Sequence, residues 1–115
     1  MELMATSAHG LFVYGTLAPG RPNAHVMDPM VGSWTPATAR GTLLPDGWGA
    51  AAGYPAIVLD ADAPEVPGFL FSCDDLPAHW ERLDEFEGEG YDRVLTTVLL
   101  GTGEQVPAFI YALRR

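Results

Sequence analysis

The sequence of 115 residues contains no lysine, and its six arginines face fifteen aspartate and glutamate residues, which leaves a formal net charge of −9. Nucleic acid and anionic membrane surfaces bind proteins through clustered cations, so neither is expected as a partner. No apolar run approaches the roughly 18 residues of a membrane-spanning helix. The first ten residues, MELMATSAHG, carry neither a basic nor an apolar signal region. We therefore expect an unexported, cytoplasmic protein.

Cysteine is almost absent as well. The single residue, Cys73, cannot form an internal disulfide, which fits a reducing compartment. Cys73 and His79 could serve as a thiol nucleophile and its base, but a lone cysteine on an apolar strand is more typical of core packing. The three histidines, His9, His25 and His79, have no metal-ligand spacing. We therefore predict no metal site.

Glycine and proline are abundant, with 13 and 10 residues, together 23 of 115 or 20%, against about 12% in average proteins. Turns must therefore be frequent and secondary-structure elements short, which excludes a helical bundle. Hydrophobic residues make up 48% of the chain and support a buried core. We predict one domain over residues 10–115, preceded by a flexible segment at residues 1–9. The sequence makes no prediction of the oligomeric state.

Short apolar segments bounded by turn residues predict five or six strands. These segments are 10–14, an extended stretch around 39–44 within residues 33–44, 55–59, 68–73, 93–100 and 106–113. The last two are joined by Gly101-Thr102-Gly103, which is typical of a hairpin. Apolar residues at successive positions of the third and fourth segments indicate strands that are covered on both faces. The cover is either a barrel interior and an outer helix or helices on each side.

Helical patterns predict two further elements. A short helix is favoured within residues 21–30, where apolar residues have helical spacing. The stronger helix begins after the cap candidates Asp74 and Asp75, has Pro77 in its first turn and continues to about Glu87. Five or six strands with one strong helix predict an α+β domain.

The stronger helix turns one carboxylate toward its apolar face. At about 100° per residue, Glu87 falls on the stripe of Leu76, Trp80 and Leu83, whereas Glu85 falls on the opposite side. Burial raises the pKa of a carboxyl group unless donors or cations offset it. A carboxyl group that titrates near neutrality suits a general base. If the helix instead ends before Glu87, at the glycines that follow, this side chain points to water.

A second feature is the turn after the first strand, Tyr14-Gly15-Thr16-Leu17. A glycine directly after a strand lets successive backbone N–H groups converge on an anion. The alternative is an ordinary strand-to-loop turn without a ligand. Further along the chain, Arg93 follows the acidic helix closely and is a candidate partner for a carboxylate, either in the structure or at a site.

Together these residues resemble the γ-glutamylcyclotransferase-like superfamily, and within it the γ-glutamylamine cyclotransferase branch and its small bacterial relatives. The resemblance rests on LFVYGTL at 11–17, G-x-P-N at 20–23, and LDEFEG at 83–88 with Tyr91 and Arg93 close behind. It spans essentially residues 11–113. The order of the motifs and their separation of about 70 residues argue against chance agreement.

The resemblance implies a small mixed β-barrel of about five to seven strands, flanked by one main helix and short helices. It assigns the general acid/base role to Glu87. It assigns substrate binding to Tyr14, Gly15, Thr16, Leu17 and Tyr91. The implied partner is a small γ-glutamyl substrate, and no cofactor is implied.

The implied reaction is a ring closure within the substrate. The α-amino group of a γ-glutamyl unit attacks its own γ-carbonyl, expels an amine and leaves 5-oxoproline. Well-oriented intramolecular reactions reach effective molarities of about 10⁵ to 10⁸ M, so the protein has to hold the chain curled and move protons. A glutamate with a pKa of about 6 to 7 suits that proton transfer. Backbone N–H groups of residues 15–18 are candidates to hold the substrate's α-carboxylate.

Two alternatives stay open beside this reading. One is a binding module that keeps the cavity, senses a small metabolite and has lost turnover. The other is a biosynthetic enzyme that removes a γ-glutamyl protecting group from a larger acyl substrate. Ala18 replaces a lysine common in the γ-glutamylamine branch, and Arg21 stands where glutamine is frequent. These two departures leave the identity of the leaving amine open.

Overall fold

A computed structural model describes residues 9–14, 24–44 and 56–114, and this part of the chain contains six strands, one α-helix and one 3-10 helix. The strands are β1 (Gly10–Val13), β2 (Ser33–Leu44), β3 (Ala56–Leu59), β4 (Glu65–Ser72), β5 (Tyr91–Leu100) and β6 (Gln105–Leu113). The helix α1 (Leu76–Glu87) lies between β4 and β5, and the 3-10 helix (Ala24–Met27) precedes β2. Within these ranges no helix is both long and apolar enough to cross a membrane.

Several predictions made from the sequence concern residues outside these described ranges. The flexible N-terminal segment, the turn after the first strand and the start of the short helix lie outside the described residues, at 1–8 and 15–23. The loop predicted before the third strand lies outside them too, at 45–55. These remain predictions.

Five strands form a closed ring in the order β2, β4, β1, β6 and β5. The ring closes where β5 pairs with β2, through Ala37 opposite Leu100 and Thr38 opposite Leu99. Neighbouring strands run antiparallel except for the parallel pair of β1 and β6, so the barrel is mixed. β3 extends the sheet along the second part of β2. The predicted small mixed barrel with one main helix is confirmed.

Alternate residues of β1 and β4 point to two separate cores. Phe12 and the paired Leu70 lie in the barrel interior. Leu11 and the paired Phe71 point the other way and belong to the core that includes Leu83 of α1. Of the two coverings that the sequence left open for the fourth strand, the structure therefore has a barrel interior on one face and an outer helix on the other.

The short helix predicted within residues 21–30 is a single 3-10 turn, Ala24–Met27, in the described part of the chain. The N–H of Asp28 bonds to the carbonyl of His25, three residues earlier, rather than four. Pro29 accounts for the early end. Proline has no N–H to donate, and it disfavours helical backbone at the residue before it.

β2 is longer than the sequence predicts, because strand pairing extends it. Its first eight residues pair with β4, from Ser33 opposite Ser72 to Arg40 opposite Glu65, and its last four pair with β3. The same pairing starts β4 three residues earlier than predicted, at Glu65. Long-range pairing of this kind overrides the weak local preferences of the residues involved.

α1 ends where the sequence predicts, at Glu87. The next residue, Gly88, has a φ of +82°, and its N–H donates a hydrogen bond to the carbonyl of Asp84 at 3.0 Å. Such a left-handed residue favours glycine and stops a helix. At the other end, Asp75 occupies the N-cap position without a side-chain hydrogen bond to the helix. Asp84 and Glu87 thus share the last turn of α1.

Candidate active site

Glu87 is half-buried on the inner face of α1, the face that also carries the fully buried Leu76 and Leu83. Glu85, two residues earlier, is exposed. Because α1 includes Glu87, the alternative in which the helix ends before this residue is wrong. Burial raises the pKa of Glu87 from 4.5 to about 7. Its carboxyl group can therefore both accept and release a proton near neutral pH.

Tyr14 follows β1 and brings its hydroxyl to the same region. The hydroxyl donates a hydrogen bond to the carbonyl oxygen of Tyr111 at 2.5 Å and accepts one from the N–H of Ile57 at 3.1 Å. Burial raises the pKa of Tyr14; the Ile57 hydrogen bond opposes the rise, and the neighbouring Tyr91 and Glu87 add to it. Tyr14 is thus within electrostatic reach of two other predicted site residues, Glu87 of α1 and Tyr91 of β5.

The Tyr14 hydroxyl connects three strands. Its two hydrogen bonds go to backbone groups of β6 and β3, so this side chain ties the end of β1 to both strands. Tyr91, the first residue of β5, is half-buried and packs against the core beneath α1. The other predicted substrate-binding residues, Gly15, Thr16 and Leu17, lie outside the described residues.

A polar cluster on the same side of the sheet holds the second carboxylate of this turn. Asp84 accepts a hydrogen bond from the Tyr111 hydroxyl at 2.6 Å, and Arg93 donates to both of its oxygens, at 2.9 and 3.3 Å. The guanidinium of Arg93 lies 4.4 Å from the ring centre of Trp80 and 5.1 Å from that of Phe109. The carboxylate partner of Arg93 is therefore Asp84.

The surroundings of Asp84 and Glu87, which are three residues apart, shift the pKa values of the two carboxyl groups in opposite directions. Burial acts to raise the pKa of Asp84, but hydrogen bonds from Arg93 and Tyr111 and the charge of Arg93 outweigh burial and lower the pKa. For Tyr111, burial, the hydrogen bond to Asp84 and the charges of Asp84 and Glu87 raise the pKa, against a smaller lowering by Arg93. Near pH 7, Asp84 is ionised and fixed, whereas Glu87 exchanges its proton.

The sequence reasoning did not single out Asp84 or Tyr111. Two signals point to them in retrospect. Three residues of helix rotate by about 300°, so Asp84 lies only about 60° from Glu87 around the helix. Tyr111 is a hydroxyl in an otherwise apolar stretch, and a buried tyrosine hydroxyl needs a hydrogen-bond partner.

Cys73 and His79 have separate partners in the structure. Cys73 is buried, and its Sγ accepts a hydrogen bond from the N–H of Asp75 at 3.4 Å. His79 accepts at Nδ1 from Nε of Arg82 at 3.3 Å. Core packing thus accounts for the cysteine. Among the described residues, no group of three or more histidine, cysteine, aspartate or glutamate side chains is placed to hold a metal ion.

A cavity of about 690 Å³ adjoins the end of β1. Val13 and Tyr14 form one part of its wall, and mainly apolar residues of β2, β4 and the end of β5 form the rest. Glu87 is not among the described residues that line it. Tyr14 therefore contributes to the wall of this cavity and is also within electrostatic reach of Glu87.

The sequence matches the γ-glutamyl cyclotransferase, AIG2-like family over residues 11–115. No curated protein matches it. Among solved structures it is similar to YkqA from Bacillus subtilis, with 27% identity and a TM-score of 0.70. It is also similar to an AIG2-like protein from Mus musculus, with 24% identity and a TM-score of 0.71, and to a γ-glutamyl cyclotransferase, with 16% identity and a TM-score of 0.66.

These similarities extend over nearly the whole of this chain. They cover 92% of it for YkqA, 90% for the mouse protein and 92% for the cyclotransferase. The corresponding shares of those proteins are 36%, 76% and 66%, so this chain spans about a third of the length of YkqA. At the lower identities the likeness shows the fold alone, which agrees with the barrel described above.

Proposed function

Because the chain belongs to the γ-glutamyl cyclotransferase, AIG2-like family, we propose that it converts a γ-glutamyl amine or γ-glutamyl amino acid to 5-oxoproline and a free amine. Within the family, its motifs favour the γ-glutamylamine cyclotransferase branch and its small bacterial relatives. The observation that carries the proposal is Glu87, a half-buried carboxyl group on the inner face of α1 with a pKa raised to about 7, within electrostatic reach of Tyr14.

Glu87 acts in this proposal as the group that moves protons. Its carboxylate takes a proton from the α-ammonium group of the substrate, and the neutral amine then attacks the γ-carbonyl carbon. A new carbon–nitrogen bond closes the ring, and the bond from the γ-carbon to the leaving nitrogen breaks as Glu87 returns its proton. The ring nitrogen then gives up a second proton, which Glu87 passes to the departing amine in the same way. Two protons in all move from the attacking nitrogen to the leaving nitrogen, so 5-oxoproline and an ammonium ion balance the reaction.

Asp84 is unsuited to this role although it lies in the same turn. Its carboxylate is held by Arg93 and Tyr111, which lower its pKa, so it stays ionised and cannot return a proton near pH 7. Glu87 has the raised pKa that a proton carrier needs. The contrast supports Glu87 as the acid/base.

We assign substrate binding to the residues around Glu87 and to the turn that follows β1. The electrostatic interactions of Tyr14 with Glu87 and Tyr91 support this assignment. The roles of Gly15, Thr16 and Leu17, and of the backbone N–H groups of residues 15–18 as a site for the α-carboxylate, remain predictions. The proposal needs no cofactor and no partner other than the small substrate.

The test is the release of 5-oxoproline from a panel of γ-glutamyl amines, γ-glutamyl amino acids and one larger γ-glutamyl acyl compound. We expect the wild-type protein to act on small members of the panel. We expect Glu87→Gln to lose at least about 100-fold in turnover, the usual contribution of acid/base catalysis. Glu85→Gln changes an exposed carboxylate of the same helix and should keep full activity.

Three outcomes would overturn the proposal. Unchanged turnover in Glu87→Gln removes this residue from the mechanism. Binding of 5-oxoproline without turnover of any panel member indicates a binding module. Release only from the larger acyl compound indicates the removal of a γ-glutamyl protecting group.

A further inference from the structure

The last turn of α1 is fastened to the barrel through the residue that precedes Glu87 by one turn. The Oδ1 atom of Asp84 accepts a hydrogen bond from the Tyr111 hydroxyl of β6 at 2.6 Å and another from Nε of Arg93 of β5 at 2.9 Å. Arg93 is itself held over the rings of Trp80 and Phe109. One carboxylate of α1 is thus bound to two neighbouring strands at once.

Tyr111 connects this attachment to the end of β1. Its hydroxyl donates to Asp84 on the helix side, and its carbonyl oxygen accepts the hydrogen bond of Tyr14. Tyr111 is only 5% exposed, so its position is fixed by packing as well. Tyr111 therefore contacts both the turn that carries Glu87 and the side chain of Tyr14, which is within electrostatic reach of Glu87.

We propose that Tyr111 is a positioning residue, whose hydroxyl, together with the Asp84–Arg93 pair, holds the last turn of α1 against β6 and so keeps Glu87 buried. The turn is short and ends at Gly88, whose N–H bonds to the carbonyl of Asp84, so fixing Asp84 fixes the turn. The catalytic meaning of this inference rests on the function proposed above for Glu87.

The effect of the Tyr111 hydroxyl on the burial of Glu87 can be separated from the effect of nearby charges on the pKa of Glu87. In the described part of the chain, the side chains that interact electrostatically with Glu87, or with the groups beside it, are Tyr14 after β1, Tyr111 on β6, Tyr91 and Arg93 on β5, and Asp84 on α1. Glu85 of the same helix is exposed. Tyr111 is neutral near pH 7, so its replacement by phenylalanine removes a hydrogen bond without removing a charge. A change in the pKa of Glu87 in that variant then reports its hydration, since burial is what raises this pKa.

The test is a pH titration of the Glu87 carboxyl carbon by NMR in Tyr111→Phe, with Glu87→Gln used to assign the signal. We expect the pKa of Glu87 to fall by about one unit or more toward its ordinary value, as the carboxyl group becomes hydrated. We expect amide hydrogen exchange at Gly88 to become about tenfold faster, because the turn opens more often. Val98→Ala, a change in the barrel interior, should move neither quantity.

An unchanged Glu87 pKa in Tyr111→Phe, or an equal shift in Val98→Ala, would overturn the proposal. Arg93→Met adds a second test, because an effect of charge and an effect of positioning change the pKa of Glu87 in opposite directions. If charge alone matters, loss of the cation leaves Asp84 uncompensated and raises the pKa of Glu87. If Arg93 helps to hold the turn, the pKa falls, which is the result we expect; a rise would contradict the proposal.

Activity gives an independent reading. We expect kcat to fall about tenfold in Tyr111→Phe while KM changes less than about threefold, because a positioning residue acts on the proton transfer rather than on binding. If the wild-type protein releases no 5-oxoproline, the proposed function fails, yet the titration and exchange measurements still test the role of Tyr111.

Discussion

Ile110 and Tyr111 are neighbours on β6, yet they face two regions of very different chemistry. Ile110 is fully buried in the barrel interior, in a core built from apolar side chains. Tyr111 points to the other side, beneath α1, where it donates a hydrogen bond to Asp84 beside Arg93. Because successive side chains of a strand point to opposite faces, neighbouring residues of β6 lie in an apolar core and beside a pair of charged groups.

The difference shows where a small domain can keep a carboxyl group partly buried. Among the described residues, the buried side chains of the barrel interior are apolar, whereas beneath α1 the side chains of Arg93 and Tyr111 supply donors to Asp84, whose side chain is 44% exposed. Within that interface, a cation compensates Asp84, whereas burial alone sets the pKa of Glu87 in the described part of the chain. The two carboxyl groups therefore differ in pKa although they share one helical turn.

The largest expected effect comes from the barrel interior. Ile110→Ala should lower the free energy of unfolding by about 3 kcal/mol, because it removes buried methyl groups and leaves a cavity. Urea denaturation at several pH values would measure it. The loss should be the same from about pH 5 to about pH 8, since the side chains packed around Ile110 in this core do not titrate in that range. A loss of stability that changes strongly with pH would contradict the absence, among the described residues, of titrating groups around Ile110 and thus the contrast with the region beneath α1.

The next effect belongs to Glu87 and does depend on pH. Its pKa is about 7 in the folded protein against 4.5 for the ordinary group, so its contribution to stability is full below pH 4.5 and declines as the pH rises through 7. One pKa unit corresponds to about 1.4 kcal/mol, so the difference between 4.5 and about 7 amounts to roughly 3 kcal/mol in total. Above about pH 8, Glu87→Gln should be more stable than the wild-type protein.

Urea denaturation from acid to alkaline pH would check this, with Glu85→Gln as the control that keeps the wild-type dependence. The Glu87→Gln variant should have a flatter profile, because an amide does not titrate. The barrel-interior variant and this one therefore respond to pH in different ways. A flat profile in the wild-type protein would show that Glu87 is hydrated in the folded state.

The smallest expected effect concerns the compensated carboxylate. The folded pKa of Asp84 lies below its ordinary 3.8, so this group contributes stability above pH 3.8 and loses it as the pH falls through the folded pKa. Arg93→Met should cost about 1 kcal/mol or less near pH 7, because the pair is partly exposed and exposed ion pairs contribute little. The cost should shrink in acid.

A matched control for this prediction is the exposed pair of Arg114 and Asp92, whose side chains are 52% and 48% exposed. Arg114→Met should cost less than Arg93→Met in the same urea denaturation series, since Arg93 also packs against two aromatic rings. Equal costs for the two variants would mean that the cluster beneath α1 adds nothing to stability beyond a surface ion pair.

The sequence predicted those features that depend on local periodicity. The 3.6-residue repeat placed Glu87 on the inner face of α1 and Glu85 on the outer face, and the structure has both residues there. Alternation and turn residues likewise predicted the closing hairpin of β5 and β6, which are antiparallel partners. These signals lie within a few residues of one another, so no tertiary information is needed to read them.

Features that depend on distant partners were missed. Tyr111 meets Asp84 across 27 residues of sequence, and the hydroxyl of Tyr14 meets the N–H of Ile57 across 43. The first eight residues of β2 pair with β4, which ends at Ser72 far along the chain. Such contacts follow from the order and register of strands in the barrel, which local pattern does not specify.

A pH titration of the Glu87 carboxyl carbon by NMR in the wild-type protein decides directly whether this group is buried or hydrated. We expect Glu87 to titrate at a pKa of about 7. A Glu87 that titrates in the ordinary range of a hydrated glutamate would contradict the role assigned to it.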